Sequence, residues 1–324
     1  MTKDLPLSTI RMHATTRAVG YIHDKDFLHF QVFDLHAGTI ERLLQGKAPK
    51  RTEAFGFIDD SHIITFSRGR RNLKVWNIND GKLVSQYKFG QKFRFEDMLV
   101  SRNGNAVVCS QVGQTVEHDD STVPLVFLNP KTGEQKFLEE KGTQLLLWNG
   151  CVSDEGRYLV CLTKEYSAQL WDLTNGRMMY RLSVDEENTH VIATAISTIS
   201  SVLLTGESDG GINVWDITSG HVQYTFFCDD VDSLFITKDG RVAFSNYRSN
   251  NRNIDAWDLS NGSKLASFTS DWKPERIVIC GNRLVVAKAD KPELMSLRPH
   301  ISGCTEDVAN EDGHFMDCPL ESEM

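Results

Sequence analysis

One phrase recurs along this chain and limits what it can fold into: an aromatic residue, then Asp or Asn, then Ile or Leu, with a glycine five positions after the aromatic. Four copies carry tryptophan: Trp76-Asn77-Ile78 with Gly81, Trp171-Asp172-Leu173 with Gly176, Trp215-Asp216-Ile217 with Gly220, and Trp257-Asp258-Leu259 with Gly262. Phe33-Asp34-Leu35 with Gly38 is a fifth copy in weaker spelling. Glycine is about 7% of ordinary sequences, so this shared context is not chance.

The copies are evenly spaced. Phe33 lies 43 residues before Trp76, Trp171 lies 44 before Trp215, and Trp215 lies 42 before Trp257. The 95-residue gap between Trp76 and Trp171 holds one more copy, Phe127-Leu128-Asn129-Pro130 with Gly133. Met295-Ser296-Leu297 is an eroded last copy, 38 residues after Trp257. A period near 40–45 means a repeat architecture, in which each unit buries its apolar faces against its neighbours.

Each unit reads as strands. Before Trp257, Ser233–Ile236 is apolar, Thr237-Lys238-Asp239-Gly240 is a turn, and Arg241–Ser245 alternates; Asn253–Leu259 alternates onto the tryptophan, Ser260-Asn261-Gly262 turns, and Lys264–Phe268 is a fourth strand. The first turn recurs as Ser101-Arg102-Asn103-Gly104 and Ser153-Asp154-Glu155-Gly156, where Asn or Asp bonds its own backbone and Gly accepts positive φ. No segment reads as a helix.

These residues resemble the WD-repeat family across roughly residues 9–298. The resemblance implies an all-β fold, a β-propeller of about seven four-stranded blades over residues 1–300. Family members carry a Gly-His pair before each blade, whose His helps lock the blade through an Asp, a strand hydroxyl and the Trp. That pair is missing here: Gly220-His221 lies in the wrong turn and Gly313-His314 in the tail. Only the Trp215 unit keeps the tight-turn Asp, Asp209. The blades are therefore expected to rely on packing more than on that lock. The chain is also weakly similar to the propeller part of NACHT-and-WD-repeat proteins, which would make it the sensing or partner-holding part of a larger assembly. Closure has two readings: Leu7–Met12 either completes the last blade or belongs to the first.

Charge narrows the partners. The formal net charge is −9, and residues 301–324 contribute Glu306, Asp307, Glu311, Asp312, Asp317, Glu321 and Glu323 with no Lys or Arg. That acidic tail is expected to be disordered, and the nearly neutral body lacks the positive field of a nucleic-acid binder. Met1–Ile10 contains Pro6 and polar residues rather than an apolar signal core, and no stretch is apolar enough to span a bilayer, so a cytoplasmic location without membrane contact is expected. Seven cysteines, several inside apolar runs, read as small buried hydrophobes.

No Gly-rich phosphate loop, nucleophile elbow or paired-His metal motif occurs, and Cys304, His314 and Cys318 lack the paired spacing of a zinc site. No cofactor and no enzymatic activity are expected. The function expected is a non-catalytic protein-protein interaction scaffold; the alternative is a propeller enzyme or ligand site at the channel mouth. In the family, the loops joining fourth to first and second to third strands form the face that most often meets partners. On it fall Arg68, Arg70 and Arg71, Lys92 and Arg94, Arg248 and Arg252, with Glu117, Asp119, Asp120, Asp185, Glu186, Glu187, Asp229 and Asp230 on the acidic side. These charges either meet partners or are solvated loop charges. First strands line a propeller's channel, so the residues before their apolar runs are expected to ring its mouth: Glu53, Asp97, Gln144, His190, Asp232 and Glu275. Four of these are acidic. They would suit a basic peptide segment or a cation, unless Arg51, Arg94 and Arg276 neutralise them internally. Trp272 is the candidate exposed aromatic anchor, unless it packs against its own blade, and the long connection Gln111–Val123 is expected to be exposed and mobile.

Overall fold

The computed structural model describes residues 55–66, 71–90, 93–111, 123–182, 189–228, 231–247 and 253–269 in full. Towards both ends it describes strand backbone. Strands occupy the described residues, with no helix among them, so no helix there is long and apolar enough to cross a membrane.

The strands follow the repeat. The first sheet holds β1 (Thr9–His13), β2 (Arg17–His23), β3 (Leu28–Asp34) and β4 (Thr39–Gly46). The second holds β5 (Thr52–Asp59), β6 (His62–Ser67), β7 (Asn72–Asn77) and β8 (Leu83–Lys88), and the third β9 (Phe95–Val100), β10 (Val107–Gln111), β11 (Leu125–Leu128) and β12 (Gln135–Leu138). β13 (Leu145–Val152), β14 (Tyr158–Thr163), β15 (Ala168–Asp172) and β16 (Arg177–Leu182) make the fourth. β17 (Val191–Ser197), β18 (Val202–Glu207), β19 (Gly211–Asp216) and β20 (Val222–Phe227) make the fifth. The sixth is β21 (Val231–Ile236), β22 (Val242–Tyr247), β23 (Asn253–Asp258) and β24 (Ser263–Thr269). Among the described residues the last sheet has three strands, β25 (Arg276–Cys280), β26 (Arg283–Ala287) and β27 (Leu294–Leu297).

Every sheet is an antiparallel meander in which each strand pairs with the next. Each first strand lies against the first strand of the following sheet, from β1 to β25, and β1 also lies against β25. Thr9–His13 pairs with β2, so most of Leu7–Met12 belongs to the first sheet. The acidic tail, Cys304, His314 and Cys318 lie outside the described residues.

Burial explains why the middle strands are almost continuously apolar. β14, β15, β18 and β19 are buried at nearly every position, whereas β8, β20 and β24 are mostly exposed or half-buried. A strand buried on both faces cannot alternate, because neither side meets water. The covering comes from the neighbouring sheets. Ile64, Phe66, Leu73 and Val75 pack with Phe95, Val107, Cys109 and Val126 between the second and third sheets. Three more clusters fill the next three gaps, with Trp171, Trp215 and Trp257 each in the gap before its own sheet.

Polar ties hold the same gaps. Tyr87 OH donates to Pro130 O (2.7 Å), Tyr180 OH to Thr218 O (2.5 Å) and Tyr224 OH to Leu259 O (2.5 Å). In each case an outer strand reaches the third-to-fourth-strand turn of the next sheet. Lys136 does the same from β12, with Nζ 2.5 Å from Thr174 O. At the same strand ends the first-to-second-strand turns interdigitate: Gly104 has φ +69°, and a Cβ there would stand 1.8 Å from Ile58 O of the preceding sheet. Only glycine allows that approach.

Candidate functional site

The repeat tryptophans are structural. Trp171, Trp215 and Trp257 are 3%, 5% and 6% exposed, while Trp76 is half-buried. An indole N–H is a donor that must find an acceptor once buried. Trp76 donates to Thr65 Oγ1 (2.9 Å), Trp215 to Thr205 Oγ1 (2.8 Å) and Trp257 to Ser245 Oγ (2.9 Å). Each acceptor lies on the second strand, two residues beyond the tryptophan's cross-strand partner. The Trp-to-hydroxyl part of the lock is thus present in three sheets, beside the packing between sheets. The fourth sheet has Cys161 in that slot, a thiol kept neutral by burial, and Trp171 donates instead to Gln169 Oε1 (3.1 Å). Gln169 Nε2 donates in turn to Glu140 (2.6 Å), which also pairs with Arg181. Burial pushes the Glu140 carboxyl up, but the bonds from Arg181 and Gln169 outweigh it and hold the group below its ordinary range.

The first strands share an irregularity. In five consecutive sheets, the first strand, β5, β9, β13, β17 or β21, carries extra residues that shift its register against the second strand. Glu53 is the extra residue between the pairs Thr52↔Ser67 and Ala54↔Phe66, Ile192 between Val191↔Glu207 and Ala193↔Gly206, and Asp232 between Val231↔Tyr247 and Ser233↔Asn246. In β9 the extra residues are Glu96 and Asp97, and in β13 they are Leu147 to Gly150, which include Trp148. A bulge re-aims a side chain at a chosen point on a strand. Glu53, Ile192 and Asp232 thus share one bulge register, whereas Glu96-Asp97 and residues 147–150, which include Trp148, bulge at another, opposite Ser110 and Cys161; Gln144 and His190 sit just before their strands.

Asp97 and Asp232 are half-buried. The Asp97 backbone N–H donates to Ser110 Oγ (3.1 Å), and its Oδ1 accepts from the Met98 N–H (2.7 Å). Arg71 is exposed at the start of β7, and Arg94 is exposed before β9. Arg68, Arg70, Trp272 and Glu275 lie outside the described residues, as do Lys92, Arg248, Arg252 and residues 112–122. For Glu53 only the strand backbone is described.

An aromatic row that the sequence reading passed over stands at the β13 bulge. Trp148 is 50% exposed, and its ring meets Tyr166 edge-on with centroids 6.3 Å apart. Tyr166, 41% exposed, meets His190 at 5.1 Å. The three come from β13, the β14–β15 turn and the residue before β17, so the row joins the kinds of loop that make one face.

Two left-handed residues hold the row open. Asn149 has φ +56°, which Asn tolerates, and it is tied across the gap to the fifth sheet: its Nδ2 donates to Ile192 O (2.5 Å) and its own O accepts from Thr194 Oγ1 (2.7 Å). Tyr166 has φ +61°. The corresponding turn of the fifth sheet, 44 residues on, has Gly210 at this position, with φ +92°. The backbone bonds match: Tyr166 N–H donates to Thr163 O (2.9 Å) and Gly210 N–H to Glu207 O (3.0 Å), while Lys164 N–H donates to Gln144 O (3.2 Å) and Ser208 N–H to His190 O (2.9 Å). Tyrosine therefore occupies a glycine slot, at a backbone cost of about 1–2 kcal/mol. The signal was legible in sequence by setting Thr163-Lys164-Glu165-Tyr166 against Glu207-Ser208-Asp209-Gly210.

A rigid, half-exposed Trp beside Tyr and His is suited to gripping a partner's side chain, since Trp and Tyr bring large contact area at low entropy cost. Among the described residues no three His, Cys, Asp or Glu side chains are grouped to hold a metal ion. No protein-family model matches this chain, and no curated protein matches it.

Proposed function

We propose that this chain is a non-catalytic interaction module, a WD-repeat-like β-propeller of seven blades that holds other proteins as part of a larger cytoplasmic assembly. Seven successive sheets, and first strands that meet in order until β1 reaches β25, support the propeller reading. The observation that carries the interaction reading is Tyr166 in the glycine slot. Folding alone favours glycine there, so a tyrosine kept at that cost, presenting its ring beside exposed Trp148, is explained by a contact made with something else.

The test is affinity capture with quantitative mass spectrometry, comparing the unmodified chain with Trp148→Ala and with Phe227→Ser. Phe227 is an exposed aromatic on the outer strand β20 and serves as a control. At least one partner should be lost with Trp148→Ala and kept with Phe227→Ser. Identical partner sets for all three chains would refute the reading.

A further inference from the structure

We infer that this chain pairs with a second copy of itself through the free edge of β20, the two strands running antiparallel about a two-fold axis. The inference stands apart from the Trp148 reading, and either can fail alone.

The first argument is what β20 lacks. Of the six fourth strands described, β20 (Val222–Phe227) is the one without a charged residue: β4 carries Glu41 and Arg42, β8 Lys88, β12 Lys136, β16 Arg177 and Arg181, and β24 Lys264. Charges on an edge strand keep it from pairing with other chains. Phe227 sharpens the contrast. It lies twelve residues after the tryptophan of its unit, and the same position after the other repeat aromatics holds Gln45, Lys88, Glu139, Ser183 and Thr269, all polar.

Packing within the chain does not account for Phe227. Tyr224 and Phe226 face the sixth sheet, where Tyr224 OH donates to Leu259 O and the Phe226 ring lies 4.7 Å from that of Trp257. Phe227 alternates to the other side of the strand and is 70% exposed, the most exposed of the large apolar side chains described.

The second argument is the backbone, which narrows the occupant. Cys228 N–H donates to Gly210 O (2.9 Å), and next along the ladder Gly211 faces Phe227 and Asn213 faces Thr225. Hydrogen-bonded and non-bonded pairs alternate along an antiparallel ladder, so the N–H and C=O groups of Thr225 and Phe227 point away from β19, at the edge where β20 ends its sheet. Such an edge takes another extended strand, and a charge set opposite Phe227 would lose water without gaining a partner. Among the fourth strands of this chain, β20 itself meets that requirement. Centred on Phe226, two copies place Thr225 of each opposite Phe227 of the other, which uses every outward group of both residues. The pairing sets a β-branched side chain against an aromatic one on each side of the axis, a combination that stabilises antiparallel sheets.

The test is sedimentation velocity on the full chain from about 1 to about 100 μM, joined to hydrogen exchange at both ends of that range. A six-residue edge is smaller than a stable dimer interface, so the dimer should form only above about 1 μM. The average mass should climb from one copy towards two, and the amides of Thr225 and Phe227 should gain protection as it does. Each copy carries a net charge of −9, so association should strengthen as salt rises from low to moderate. Phe227→Lys should weaken association at least about tenfold, Phe227→Tyr much less, and Val84→Lys, on the outer strand β8, not at all. Thermal unfolding of each variant checks that the fold survives. A chain that stays monomeric throughout overturns the inference and leaves the edge to a different protein's strand. So does a dimer that Phe227→Lys leaves intact and that adds no protection over Val222–Phe227.

Discussion

Replacing Tyr166 by glycine and by alanine separates backbone strain from ring contacts. Both substitutions remove the ring and with it the contacts to Trp148 and His190, aromatic pairs worth about 0.5–1.5 kcal/mol each. They differ only in the backbone. At φ +61° a residue with Cβ costs about 1–2 kcal/mol, and the extra unfolded-chain freedom of glycine offsets roughly 0.5–1 of this. Tyr166→Gly should therefore be more stable than Tyr166→Ala by about 0.5–1 kcal/mol, read from urea unfolding followed by circular dichroism. The mirror experiment is Gly210→Ala in the fifth sheet, at φ +92°, which should lose a similar amount. An Ala variant as stable as the Gly variant, alongside a destabilised Gly210→Ala, would refute the claim that the two turns share one backbone.

Two further outcomes test the framework. Thr205→Val removes the acceptor of the buried Trp215 N–H while keeping shape, and should cost about 1–3 kcal/mol in urea unfolding. The Glu140 carboxyl is held below its ordinary range in the fold, so it adds stability above its unfolded pKa that is lost as pH falls through the folded value. Arg181→Gln should shrink that loss, which a series of unfolding midpoints from pH 6 down to about 3 would display.

Much of the fold was legible in the chain because its cause is local and repeated. The phrase of an aromatic, Asp or Asn and an apolar residue marks the third strand of five sheets, and the glycine after it closes the third-to-fourth-strand turn, as Gly81, Gly176, Gly220 and Gly262 do at positive φ. Period-2 alternation was weaker than an ordinary sheet would show, because β14, β18 and their like are covered on both faces. The candidate site was legible only in part. Glu53, Asp97 and Asp232 were found by counting back from each apolar run, but the same count stopped at Gln144 and His190 in the fourth and fifth sheets. Position along a sequence does not reveal where a strand shifts its register.

The sequence alone determined the number of units, their turns and the tryptophans that join them, since these follow from spacing and from single-residue conformational preference. The tertiary structure alone decided what the exceptions mean. Trp148 reads in sequence as one more apolar residue in Leu145–Val152, and Tyr166 as an ordinary turn residue. Only the pairing of β13 with β14 shows four residues left over opposite one, and only the tie of Asn149 to Ile192 and Thr194 shows what pins them. Those contacts bridge separate sheets, and a bond between residues some 43–45 positions apart leaves no periodic trace in the chain.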